Sequence, residues 1–225
     1  FLMNAFMKFK GAIFDLDGTL VDSIEDLAES MNTVLKENNF PEHEIDKYKL
    51  FVGNGIKTLV RRSLPAGSDE ETVSKCYLSM MNVYDNNCVS KSRPYDGIRE
   101  LLQEFTDKKI KLAVLSNKAD NLTKKIIYSL FPEVPFIKIV GLEDENLKKP
   151  NPESALVICR EMNASPDEVL FLGDTAVDMQ TAKNGGFVAI GVLWGFRGKD
   201  ELIEAGADII VEKPVDLMNF LDSKR

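Results

Sequence analysis

The sequence predicts an α/β protein, a doubly wound parallel sheet interrupted by an inserted all-helical unit. Three observations carry that prediction. Short apolar runs ending in polar residues recur along the chain, helical periodicities alternate with them, and residues 22–90 break the alternation by being helical throughout.

The apolar runs are Ala12-Ile13-Phe14, Leu112-Ala113-Val114-Leu115, Val169-Leu170-Phe171-Leu172 and Val188-Ala189-Ile190-Gly191-Val192-Leu193. Near-continuous runs of this kind suit strands buried on both faces. Between them Ile98, Leu101, Leu102 and Phe105 fall on one helical stripe, and Asn151-Pro152 reads as an N-cap followed by a first-turn proline. Strand and helix in alternation argue for a Rossmann-like sheet with helices on both sides. In the interrupting stretch Ile24, Leu27, Ala28 and Met31 keep helical spacing, as do Val73, Tyr77, Met80, Met81 and Tyr84. The expected division is therefore an α/β core of residues 1–21 and 91–225 with a helical domain at 22–90.

The bulk composition excludes several classes. Apolar residues make up 44% and charged residues 28% of the 225, an ordinary globular balance with no run long enough for a membrane span. With 28 basic and 36 acidic residues the formal net charge is −8, a poor match for a nucleic-acid backbone. Cys76, Cys88 and Cys159 are odd in number and widely spaced, which predicts buried reduced thiols and neither a disulfide framework nor a zinc knuckle. The segment Phe1 to Lys8 lacks the features of a signal peptide, so a cytoplasmic protein is expected, with Met3 or Met7 as native start. A monomer or small homo-oligomer with no nucleic-acid or membrane partner is the matching expectation.

Chemistry concentrates at the predicted strand ends, where open α/β sheets bind ligands. Asp15 and Asp17 lie in Asp15-Leu16-Asp17-Gly18-Thr19 after the first run, a pattern that also reads as an Asp-Gly turn. Asp174 and Asp178 follow the run ending at Leu172, with Asp174 expected to cap the next helix and Asp178 one turn on. Carboxylates converging there would repel one another unless a cation sat among them, and such oxygen ligands suit Mg²⁺. Ser116 and Asn117 end the second run as a cradle for phosphate oxygens, and Lys149 precedes a helix start.

These four motifs, in this order over nearly the whole chain, resemble the haloacid dehalogenase superfamily of aspartate-nucleophile phosphatases. The helical stretch is similar to that superfamily's small cap, and Gly53-Asn54-Gly55 with Trp194-Gly195 resembles its phosphoglycolate phosphatase-like branch. The resemblance implies that Asp15 attacks phosphorus, that Asp17 protonates the leaving oxygen and then activates water, and that Ser116 and Lys149 hold phosphoryl oxygens. Backbone N–H groups near Asp17, Gly18, Thr19 and Asn117 would assist. It implies a metal held by Asp15, Asp174 and the backbone carbonyl of Asp17, with Asp178 beside it, bonding its waters or Lys149. Dehalogenating relatives commonly lack an acid two residues after the nucleophile, so Asp17 favours phosphoryl chemistry. Sugar phosphomutases share both acids and stay open as an alternative.

The implied substrate is a small phosphorylated metabolite: 2-phosphoglycolate first, then pyrophosphate, nucleotides and sugar phosphates. Within the cap, Gly53, Asn54, Gly55, Lys57, Arg61 and Arg62 offer a loop and cations that could close on a substrate carboxylate or second phosphate. The same pattern also describes an ordinary turn and a solvated helix face. Gly53-Asn54-Gly55 is no dinucleotide fingerprint, and His43, the single histidine, is expected on the surface, which argues against Ser-His-Asp catalysis. Met80, Met81 and Trp194 are expected to pack in the core and at the site's rim.

Overall fold

The computed structural model describes residues 9–222, so the start segment weighed above lies outside the described residues. In chain order the strands are β1 (Gly11–Phe14), β2 (Val21–Asp22), β3 (Arg93–Pro94), β4 (Lys111–Ala119), β5 (Phe136–Leu142), β6 (Val169–Gly173), β7 (Val188–Val192) and β8 (Ile209–Val211). The helices are α1 (Ile24–Glu37), α2 (Ile45–Phe51), α3 (Ile56–Ser63), α4 (Glu70–Asn87), α5 (Ile98–Asp107), α6 (Asp120–Leu130), α7 (Glu153–Glu161), α8 (Ala176–Gly185), α9 (Lys199–Glu204) and α10 (Pro214–Asp222). Six strands form one parallel sheet in the order β5-β4-β1-β6-β7-β8. The expected α/β fold with a parallel sheet is what the chain adopts.

Burial on both faces of that sheet follows from the strand sequences. In β1, Ala12 and Phe14 join a cluster with Leu101, Phe105, Ile126 and Leu217, while Ile13 joins Ala155, Ile158, Met179 and Ala182 on the other side. Helices α5, α6 and α10 thus cover one face and α7, α8 and α9 the other. Two sheet strands had no strong sequence signal, and both are edges. In β5 every side chain except Gly141 is at least partly exposed and Lys138 interrupts the run, and β8 is only three residues long. The helix after Asn151-Pro152 begins one residue later than expected, at Glu153, whose N–H bonds to Asn151 Oδ1 at 2.9 Å.

Only helices lie between β2 and β3, a two-residue antiparallel ribbon through which the chain leaves and rejoins the core. Asp26, buried on α1, accepts the backbone N–H of Lys91 and Ser92 and the Ser92 hydroxyl, which fastens the return of the chain to its departure. Ile24, Leu27, Ala28 and Met31 are buried, as are Val73, Met80 and Tyr84, so α1 and α4 pack as their spacing predicts. His43 departs from expectation. It is half-buried, its Nε2 bonded to Ser63 O at 2.7 Å and its ring edge-on to Phe51, because the acidic loop around it is pinned to α1 by Asn32. The three cysteines are free and buried. No helix among the described residues is long and apolar enough to cross a membrane.

Candidate active site

The register of the sheet decides which side chains meet. Phe14 pairs with Val114 on one side and Leu172 on the other, so the residues just beyond β1 and β6 and the end of β4 reach the same edge. Asp15 continues the ladder by donating its N–H to Leu172 O at 2.9 Å. The turn that follows is built on one carbonyl. Leu16 O accepts from the N–H groups of Thr19, Leu20 and Val21, and Leu16 itself is buried as the anchor. Gly18 holds φ at +83°, and a Cβ there would lie 2.2 Å from Asp174 Oδ2, so only glycine lets the two acidic loops approach.

Lys149 connects the acids. Its buried ammonium lies 2.9 Å from Asp15 Oδ1, 2.7 Å from Asp178 Oδ1 and 3.0 Å from Leu115 O, which uses all three of its donors. Burial alone would disfavour its charge, but the flanking Asp15 and Asp178 hold Lys149 above the usual lysine range. Asn117 fixes the lysine's backbone: its Oδ1 accepts from Lys149 N at 2.9 Å, and its Nδ2 donates to Lys149 O at 3.2 Å and to Gly53 O at 3.3 Å.

The acid cluster is electrostatically loaded. Asp15 is pushed up to about 7, first by burial and then by the neighbouring Asp178, with Lys149 pulling the other way. Asp174 is fully buried and raised well above the carboxylate range by the same burial and by Asp178 and Asp15, although it accepts from Phe196 N at 2.8 Å and from Thr19 Oγ1 at 3.4 Å. Asp174 does not cap α8. Thr175 does, in a capping box whose other half is Asp178, because the strand end carries Asp174 inward before the helix starts. Asp178 thus spends Oδ1 on Lys149 and Oδ2 on Thr175.

Asp15, Asp174 and Asp178 each present a carboxylate oxygen, and these oxygens lie within 4.8 Å of one another. Three buried acids against one saturated lysine form a donor set with surplus negative charge, which fits a hard divalent cation. Asp15 Oδ2 has no protein hydrogen bond among the described residues.

Asp17 is held differently. Its Oδ1 accepts from Ser23 Oγ at 2.5 Å and from Lys118 Nζ at 2.6 Å. Lys118 is 3% exposed and also donates to Tyr84 Oη of α4 at 2.6 Å, with its ammonium 4.7 Å from the ring centroid. Sequence reasoning gave Lys118 no role, although it follows Ser116 and Asn117 at the same strand end. The one available signal was its place beside two assigned residues at a strand end.

A cavity of about 30 Å³ lies between the acids and the insert, room for little more than a water or two. Asp15, Asp17, Ser116, Asn117 and Lys118 form its floor, and Leu27, Val52, Gly53, Gly55, Ile56 and Leu59 its roof. Ser116 Oγ accepts from Lys118 N at 3.1 Å. Of the cap residues singled out in the sequence, Gly53 and Gly55 reach this cavity. Asn54, Lys57 and Arg61 do not line it: Lys57 borders a separate outer cleft, Arg61 pairs with exposed Glu70, and Arg62 donates to the carbonyls of Leu50 and Phe51. Thr19 and Gly18 lie behind the site, supporting Asp174. Trp194, half-buried, does not line this cavity but a separate cleft with Tyr95 and Pro214, and donates Nε1–H to Thr19 O at 2.9 Å.

The comparison with known proteins agrees with this geometry. The family model described as haloacid dehalogenase-like hydrolase matches residues 12–192. A phosphoglycolate phosphatase of Aquifex aeolicus is 33% identical over 214 residues, 94% of this chain and 96% of the relative. An N-acetylmuramic acid 6-phosphate phosphatase of Pseudomonas aeruginosa is 28% identical over 217 residues, 96% of each chain. The crystal structure of a predicted phosphoglycolate phosphatase from Haemophilus somnus 129pt superposes with a TM-score of 0.87 at 26% identity, covering 95% of this chain and 98% of the other. The chain belongs to the haloacid dehalogenase-like hydrolases.

Proposed function

We propose that the protein is a Mg²⁺-dependent phosphatase that hydrolyses 2-phosphoglycolate through an aspartyl-phosphate, with Asp15 as nucleophile and Asp17 as acid and base. It is a phosphoric monoester hydrolase. The observation that carries the reading is the pair of unlike acids: Asp15 with one oxygen on Lys149 and the other unbonded, and Asp17 two residues on with one oxygen held by Ser23 and Lys118. Such a division of environments separates a nucleophile from a proton carrier.

In the first step Asp15 Oδ2 forms a bond to phosphorus while the ester P–O bond breaks, and Asp17 supplies the proton to the departing oxygen. In the second, water attacks the same phosphorus, gives its proton to Asp17, and the bond to Asp15 breaks. Ser116 and backbone N–H groups near Gly18 and Asn117 would hold the equatorial oxygens, joined by Lys149 once one of its three present acceptors gives way to a phosphoryl oxygen. Asp15 and Asp174, with the Asp17 backbone carbonyl, would hold Mg²⁺, while Asp178 orients Lys149. When bound, the ion supplies positive charge against the phosphoryl dianion. The helices of residues 22–90 act as a cap, since Val52, Gly53, Ile56 and Leu59 roof the cavity above Asp15 and Asp17.

Both relatives are named for substrates that join a phosphate to a carboxylic acid, glycolate in one and muramic acid in the other. That favours a carboxylated monoester over pyrophosphate or a nucleotide. The test is phosphate release from phosphoglycolate, pyrophosphate, nucleoside monophosphates and sugar phosphates, with Mg²⁺ and with chelator. A Mg²⁺-dependent preference for phosphoglycolate supports the reading. Release from none of them, with transfer to a sugar hydroxyl instead, would replace it by a phosphomutase.

A further inference from the structure

Two lysines stand in the site, and their donor accounts differ. Lys149 has three acceptors for three N–H donors, all supplied by the protein. Lys118 has two, Asp17 Oδ1 and Tyr84 Oη, and among the described residues no acceptor meets its third donor. Lys118 also lines the cavity between the acids and the insert, and Lys149 does not.

Apart from Lys118, the side chains facing the cavity are carboxylates and polar groups on the floor and aliphatic groups on the roof: Leu27, Val52, Ile56 and Leu59. Burying an ammonium beneath an apolar roof costs free energy unless each N–H finds a partner. Neither Lys57, Arg61 nor Arg62 offers a second cation there, because each is directed elsewhere.

We propose that Lys118, braced by Tyr84 of α4, is the specificity-determining residue that binds an anionic group, a carboxylate, on the leaving-group side of the substrate. The inference rests on the phosphatase reading above and names the residue through which that reading selects its substrate. Phosphorus sits at Asp15 and the leaving oxygen at Asp17, so the remainder of the leaving group lies next to the residue that touches Asp17. The ammonium at 2.6 Å from Asp17 is within reach of a carboxylate one or two carbons from the ester oxygen. Tyr84 belongs to the cap helix and Lys118 to the core, so this contact exists only with the cap closed. A carboxylated substrate that completes the set would favour closure over it.

The experiment compares 2-phosphoglycolate with 2-hydroxyethyl phosphate, which replaces the carboxylate by a neutral hydroxymethyl group on the same skeleton. For wild type, Lys118→Met and Tyr84→Phe, kcat/KM is measured on both, with Mg²⁺. The wild type is expected to favour phosphoglycolate, and Lys118→Met to lower that ratio about a hundredfold, the scale of truncating one partner of a buried charge pair. Tyr84→Phe should lower it less, through KM for phosphoglycolate. An equal fall on both substrates in Lys118→Met would overturn the proposal and leave Lys118 as a support for Asp17. If Lys118→Met does not fold, Tyr84→Phe decides: an unchanged ratio overturns the proposal. A wild type that hydrolyses both substrates equally well ends the proposal while the phosphatase reading stands. No turnover of either substrate or of para-nitrophenyl phosphate ends both.

Discussion

The Lys149 ammonium lies 2.9 Å from Asp15 Oδ1, between that acid and Asp178, and it is the buried cation on which the acid cluster depends. Replacing it by methionine leaves two buried carboxylates unpaired. Lys149→Met should lower kcat on phosphoglycolate by roughly a hundredfold or more. In chelator it should also cost roughly 3 kcal/mol of stability, read by urea unfolding. Wild-type turnover in this variant would remove Lys149 from the mechanism.

Asp15→Asn tests the nucleophile. The amide is nearly isosteric and removes a buried charge, so the melting temperature should hold while turnover falls to background. Residual activity near wild type would assign the attack to another group.

Stability in chelator should depend on pH with a definite sign. Asp15 is raised in the folded protein to about 7 from an ordinary value of 3.8, and Asp174 is raised too. The folded state therefore binds more protons than the unfolded state between these values. Their contribution is fully present below about pH 4 and is lost as pH rises through about 7. Thermal scans of chelated protein should show the melting temperature falling relative to that of Asp15→Asn across this window. Added Mg²⁺ should raise it more at pH 8 than at pH 5. A Mg²⁺ shift independent of pH would contradict the assignment.

Arg197, on the loop after β7, donates to the carbonyls of Lys49, Leu50 and Val52 at the end of α2, and its neighbour Phe196 donates to Asp174. The core thus grips the cap beside the acid cluster. Arg197→Ala should raise KM roughly tenfold through loss of charge-assisted hydrogen bonds, and deuterium exchange at residues 52–56 should quicken. Arg61→Ala, which removes only an exposed pair with Glu70, should change KM less than threefold by the usual weight of such pairs.

Gly18→Ala should be severe for its size, because its φ of +83° disfavours a side chain and the added carbon would meet the Asp174 carboxylate. Loss of roughly 2 kcal/mol or more, or failure to accumulate folded protein, is expected; a neutral change would show that the loop has room to move.

Much of this was legible in the chain itself. Buried parallel strands need unbroken apolar runs, so β1, β4, β6 and β7 announced themselves, and the acids that follow β1 and β6, with Ser116 in the last part of β4, marked the ligand edge. The helical insert was equally plain from Ile24 to Met31 and Val73 to Tyr84, because burial on one face imposes a period. The half-exposed edge strands β5 and β8 left no such mark. Nor did the inward half-turn that makes Thr175 rather than Asp174 the helix cap.

What the sequence determined by itself is the sheet's inner strands, the helical interruption and the identity of Asp15, Asp17, Ser116, Lys149 and Asp174 as candidates, because each rests on local pattern and spacing. Only the tertiary structure decided partnership. Lys118 and Tyr84 stand 34 residues apart and meet across the cap and core. Arg61 and Lys57, which the sequence offered equally as substrate ligands or as a solvated helix face, point away from the cavity. The direction of a long side chain is set by how helices pack over the sheet, a property of contacts distant in sequence that no local period encodes.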